Sequence, residues 1–157
     1  MSVCCIIGHR EIALTQKLKE NVCLIVRNLI ENGVDTFLFG SRSEFNKLCY
    51  DIVTELKREF VIIERVFVRA EYPIIDEWYY EYLTKFYEDS YYYDKDLKNG
   101  KLSYIKRNEH LIDCSDCCLF YYNENYVPKT KTKSGTSLAY EYALKKKKVI
   151  HNLFIKN

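Results

Sequence analysis

The 157-residue sequence predicts a doubly wound α/β fold, with one parallel sheet of about five strands and helices on both of its faces. Three observations predict it. Short apolar runs, several of which end at glycine, alternate with longer stretches whose apolar residues recur every three or four positions. The short runs are apolar without alternation, as strands buried on both faces are. No internal repeat and no linker rich in Gly, Pro or Ser divides the chain, which therefore reads as one domain over residues 1–157.

Val3 to Ile7 is the first such run and closes at Gly8. Leu14, Leu18, Val22, Ile25, Val26 and Leu29 follow at helical spacing, and Asn32-Gly33 supplies a left-handed stop. Thr36 to Phe39 is a second strand, closed by Gly40. Ser43 caps a second helix whose inner face is Phe45, Leu48, Cys49, Ile52, Val53 and Leu56. Val61 to Val68 is a third strand, and Asp76 to Tyr87 has helical length without a glycine. Ser103 to Cys114 is a further helix, Cys117 to Tyr122 a fourth strand, Thr136 to Lys146 the last helix and Val149 to Ile155 the last strand. Asp89 to Gly100 and Asn123 to Lys133, which contains Pro128, read as loops.

Composition narrows the class. Twenty-four basic and 22 acidic residues leave a net charge of +2, which gives no general reason to expect nucleic-acid binding. The charge is unevenly spread: residues 71–126 hold 12 acids and 6 bases, and residues 127–157 hold 8 bases and 1 acid. An anionic ligand beside the last segment fits that asymmetry. The run Lys145 to Lys148 reads as a solvated helix end, where positive charge favours the dipole. The five-residue run Val3 to Ile7 is too short to span a membrane or form a signal-peptide core, so a cytoplasmic protein is expected. Seven cysteines without a secretory signal read as reduced thiols. Cys114-x-x-Cys117 lacks the second pair or the histidines that zinc requires, so neither metal nor cofactor is expected.

In open α/β sheets, small molecules bind beyond the carboxyl ends of the strands, where helix N-termini point at anions. Three segments fall there. Gly8-His9-Arg10 follows the first strand, Gly40-Ser41-Arg42-Ser43 follows the second, and Lys133-Ser134-Gly135-Thr136-Ser137 opens the last helix. Glycines let a phosphate approach the backbone, hydroxyls and amides donate to its oxygens, and Arg10, Arg42 and Lys133 balance its charge. Glycine and serine at such turns also serve ordinary turn and cap chemistry. Neither a Walker lysine nor a G-x-G-x-x-G is present.

The order Gly8-His9-Arg10, Phe39-Gly40-Ser41-Arg42, Arg107-Asn108, Asp113-x-x-Asp116, and Ser134-Gly135-Thr136 followed by Ala139-Tyr140-Glu141-Tyr142-Ala143 resembles the SLOG superfamily, and in particular its small bacterial and phage-borne members. The resemblance implies a Rossmann-like fold and a nucleotide ligand, lined by Gly8, His9, Gly40, Ser41, Arg42, Arg107, Asn108, Gly135 and Thr136. That superfamily holds phosphoribohydrolases, DNA-processing proteins and sensors of nucleotide-derived signals such as ADP-ribose relatives. Its hydrolases carry Gly-Gly-x-Gly-Thr-x-x-Glu, whose glutamate works on the glycosidic bond. Here Ala139 stands at that position. Glu141 lies two residues on, about 200° round a helix.

Two functions follow as expectations. The first is non-catalytic capture of a nucleotide-derived molecule, ADP-ribose-like or cyclic, by a sensor or by a sponge that withdraws an immune messenger. The alternative is a nucleotide N-glycosidase in which Glu141 or Glu109 replaces the missing acid. Residues 72–93 hold eight of the 15 tyrosines, plus Trp78 and Phe86. They suit a homo-oligomer interface, with Trp78 or Tyr79 stacking on a base, or a cover for the sheet.

Overall fold

The computed structural model describes residues 2–70, 72, 74–93, 100–126 and 134–156. In chain order these form β1 (Ser2–Gly8), α1 (Gln16–Glu31), β2 (Val34–Phe39), α2 (Glu44–Lys57), β3 (Glu64–Arg69), α3 (Glu77–Phe86), β4 (Asp89–Tyr92), α4 (Lys101–Asp113), β5 (Cys117–Tyr121), α5 (Gly135–Lys145) and β6 (Val149–Asn152). The strands make one all-parallel sheet in the order β4-β3-β2-β1-β5-β6, a Rossmann-like α/β arrangement.

The chain moves outward from β1 to β4, then crosses back to build β5 and β6 on the other side of β1. Right-handed crossovers running in opposite directions place their helices on opposite faces. The packing shows it. Cys4, Ile6, Phe37, Phe39 and Leu119 meet Val22 and Val26 of α1, Phe45 and Val53 of α2 and Leu83 of α3. The alternate residues Cys5, Ile7, Leu38, Val68 and Phe120 meet Leu111 and Ile112 of α4 and Ala139 and Ala143 of α5. Two covered faces are why the strand runs are apolar without alternation.

Helix ends follow local chemistry. The side chains of Thr15, Ser43, Asp76 and Ser134 each accept the backbone N–H three residues on, capping α1, α2, α3 and α5. Gly33 takes the left-handed conformation, φ +105°, that ends α1.

β2 and α4 each begin two residues before the expected start, at Val34 and Lys101, and four further differences from expectation follow. A sixth strand, β4, lies at the start of the expected loop from Asp89 to Gly100, whose residues 94–99 are outside the described residues. Four residues long and paired only to β3, it needs no two-sided apolar run. Its register is set by Glu88, which accepts from Arg65 at 2.7–3.2 Å and returns its backbone N–H to the Arg65 carbonyl. β3 starts at Glu64, because Val61 and Ile62 lie exposed in the turn after α2. Leu14 is exposed ahead of the Thr15 cap, outside α1. β6 ends at Asn152, three residues short of Ile155.

The tyrosine-rich segment mostly covers the sheet. Tyr79 and Tyr87 pack on the first core, Tyr91 and Tyr93 on the second, and Tyr92 is buried. Tyr72, Tyr80 and Tyr82 stay exposed with Trp78 and Phe86.

A Cβ on Gly8 would lie 2.5–2.6 Å from Phe45 side-chain atoms. Gly8→Ala is therefore expected to cost about 1–3 kcal/mol in urea unfolding. Adding Phe45→Leu should cost less than the sum of the single changes, whereas strict additivity would show that this contact is not the cause.

Candidate functional site

β1 and β5 are neighbours, yet the chain leaves them toward opposite ends of the sheet, and beyond their carboxyl ends such a reversal leaves a crevice. An open cleft of about 620 Å³ lies there. The exit of β1 contributes Gly8, His9 and Arg10, and the exit of β2 contributes Gly40, Ser41, Arg42 and Ser43. Arg107 and Asn108 come from α4, and Ser134, Gly135 and Thr136 from the start of α5. These are all but two of the residues the sequence nominates as ligand-binding. Ser137 gives its N–H to the Ser134 cap and does not line the cleft. Lys133, like the rest of 127–133, lies outside the described residues.

The glycines divide by role. A Cβ at Gly8 would strike Phe45, and one at Gly40 would lie 2.8–2.9 Å from the Arg107 side chain, so both make room for protein atoms. Gly135 differs: among the described residues the only atom within 4 Å of a Cβ there is Asn108 Nδ2, at 4.0 Å. Gly135 itself is exposed where α5 begins at the cleft. Ser137 N–H is taken by the Ser134 hydroxyl, and the N–H groups of Gly135 and Thr136 have no intrahelical acceptor. At α2, by contrast, Glu44 N–H donates to the Arg10 carbonyl and its carboxylate accepts from Ile12 N–H at 2.8 Å. That terminus holds the Arg10 loop. Ser43 is a buried cap for Asn46, and Ser41 Oγ accepts from Ser43 N–H.

Arg107 is 4% exposed. Its Nη1 donates to the Gly40 and Val68 carbonyls and its Nε to Asn108 Oδ1 at 2.9 Å. His9 is buried as well. Its Nε2 accepts Asn123 N–H at 2.9 Å, its backbone N–H donates to the Tyr121 carbonyl, and its ring stacks on Tyr126 at 4.3 Å. Burial holds its pKa below the ordinary value, and a nitrogen that accepts a hydrogen bond carries no proton, which leaves the proton of the neutral ring on Nδ1. His9 thus latches the exit of β5 to the exit of β1.

Tyr104, Leu111 and Tyr126 also line the cleft and were not nominated. Tyr104 stands three residues before Arg107, hence on the same helix face, and that spacing was its available signal. Trp78 and Tyr79 do not line this cleft; they line a smaller neighbouring pocket. Ala139 is buried in the core, and Glu141 lies exposed on α5, away from the cleft. Glu109 pairs with Lys106 at 3.4 Å. Asp116 accepts Val3 N–H, and Asp113 accepts the Tyr142 hydroxyl. Cys117 is buried beside Cys4 while Cys114 is exposed, and among the described residues no three ligating side chains gather for a metal. No helix among the described residues is long and apolar enough to cross a membrane. No protein-family model matches the chain, and no curated protein matches it.

Arg107→Lys should destabilise by about 1–3 kcal/mol in chemical denaturation, since a lysine does not reproduce the guanidinium fork and leaves buried carbonyls short of a donor. The lowered His9 pKa has a definite sign. Its contribution to stability is complete above 6.5, its ordinary value, and falls away as pH drops below that toward the folded-state value. Melting temperature followed from pH 7.5 to 5 should fall less steeply for His9→Gln than for the wild type.

Proposed function

We propose that the cleft binds a phosphate-bearing, nucleotide-derived small molecule and holds it without cleaving it. One observation carries this reading: Arg10, Arg42 and Arg107 line the cleft, and no Asp or Glu does among the described residues. Arginine forks suit phosphate oxygens, and the first-turn N–H groups of α5, at Gly135 and Thr136 in the cleft wall, add donors with the favourable end of the helix dipole. Tyr104 and Tyr126, both partly exposed at the cleft, offer flat surfaces to a base. Hydrolysis of a glycosidic bond calls for a carboxylate beside the anomeric carbon. Position 139 offers a buried alanine, and Glu141 is not among the residues that line the cleft. The resemblance to the SLOG superfamily supports the same ligand class. Self-association through the exposed Tyr80, Tyr82 and Phe86 of α3 forms part of this reading.

The test is mass spectrometry of small molecules released by heating freshly purified protein, with thermal-shift titration of adenosine monophosphate, ADP-ribose and a cyclic dinucleotide. An intact nucleotide is expected, together with a raised melting temperature that Arg10→Ala and Arg42→Ala each weaken by about tenfold in affinity, the size of one charge-assisted hydrogen bond. Accumulation of free base and ribose phosphate would overturn binding without chemistry in favour of the glycosidase.

A further inference from the structure

The cleft has a neighbour of different character. A pocket of about 360 Å³ lies at the carboxyl end of β3 and the start of α3, and it shares Gly40 and Arg42 with the first cleft. The two cavities meet at the exit of β2. Phe67, Ile75, Trp78 and Tyr79 give the second an apolar and aromatic wall, and Arg42, Arg69 and Asp76 are its charged groups.

These side chains are set as flat surfaces with polar edges. The Arg42 guanidinium lies 4.8 Å over the Tyr79 ring. Trp78 is 67% exposed, an unusual place for the largest apolar side chain unless something covers it. Arg69 gives Nη1 to the Tyr72 carbonyl at 3.2 Å, while its Nε is buried without a hydrogen-bond partner among the described residues. Asp76 supplies an acceptor at the same rim. Aromatic and guanidinium planes with both donors and an acceptor at the edge fit a heterocyclic base. A phosphate is better served next door, where arginines line the wall and no carboxylate stands among the described residues.

We propose that this second pocket takes the second base of a two-base ligand, a dinucleotide whose bridging phosphates lie at Arg42 and whose other nucleoside occupies the first cleft. The proposal rests on the reading of the first cleft as a nucleotide site. It gives Arg42 one task in both cavities, because a phosphate held there is within reach of a ring on either side.

Trp78 is the single tryptophan of the chain, so its emission reports on this pocket alone. The probes are diadenosine diphosphate and adenosine monophosphate, followed by calorimetry and by tryptophan fluorescence. Diadenosine diphosphate should change the emission of the wild type. Trp78→Ala should weaken its affinity at least about fivefold, the lower end for loss of one stacked base, and change that of the monophosphate by less than about twofold. Tyr126→Ala, in the first cleft, should weaken both. If both probes bind but emission is unchanged, or Trp78→Ala leaves diadenosine diphosphate unaffected, the second-base assignment falls and the first-cleft reading stands. Equal weakening of both probes by Trp78→Ala also overturns it, since a single base would then occupy the second pocket. If neither probe binds the wild type, the second-base assignment falls, and the first-cleft reading falls with it where ADP-ribose and the cyclic dinucleotide fail as well. The emission measurement needs no substitution and so decides even if Trp78→Ala misfolds.

Discussion

Arg107 reaches from α4 to the carbonyls of Gly40 and Val68, at the ends of β2 and β3, and one side of the cleft is built on that reach. Strand ends leave carbonyls that need donors once buried, and a guanidinium brings five in a fixed fork. The cost is a cation held at 4% exposure, which such a site tolerates only when the group is well hydrogen-bonded. It also dictates residue 40. Any side chain there would run into the arginine within 3 Å, so Gly40 and Arg107, 67 residues apart, are one structural decision. A charge fixed in this way loses little freedom when an anion arrives, which is how preorganisation favours binding.

The strand order explains why there is a cleft to line. α1 to α3 cover one face while α4 and α5 cover the other, so the helices that follow β1 and β5 lie on opposite sides of the sheet, the arrangement that leaves a crevice at the strand ends. Below the cleft the same two strands meet through Cys4 opposite Cys117 and Cys5 opposite Cys118, all at most 5% exposed. Small side chains suit the middle of a sheet packed on both faces. Burial pushes the Cys5 and Cys49 thiols well up, so these act as small apolar groups rather than as nucleophiles.

Much of this was legible in the sequence, and the misses share a cause. Apolar runs marked the four inner strands because each is buried on both faces, and helical spacing marked α1 and α2 because each presents one face to the core. β4 was not legible: an edge strand beginning Asp89-Ser90 carries little apolar signal and is held by an Arg65–Glu88 pair that no local pattern reveals. The cleft residues were readable from topology, since glycine-rich turns after parallel strands must lie at one edge. Their division of labour was not. That Gly8 serves Phe45 and Gly40 serves Arg107, while Gly135 of the three cleft glycines meets no close atom among the described residues, depends on contacts across tens of residues. Trp78 and Tyr79 were recognisable as candidates for stacking on a base, but their pocket exists only because β3 and α3 come beside Gly40.

The charge of the cleft bears on chemistry as well as on affinity. Cleaving an N-glycosidic bond builds positive charge at the sugar, and enzymes that do so place a carboxylate against it. Three guanidinium groups along the cleft wall would act in the opposite sense on a bound nucleotide, raising the energy of that charge while lowering the energy of the intact phosphate ester. A glutamate at position 139 would not repair this simply, because the alanine there is 3% exposed and packed in the core with Ala143, Leu111 and Phe120. A carboxylate at that site would need α5 to turn or withdraw, and α5 is also the helix whose first residues, Gly135 and Thr136, line the cleft. The same helix cannot easily be seated with its N-terminus at the cleft wall and re-seated to bring a carboxylate at position 139 to the cleft, and its seating here is the first.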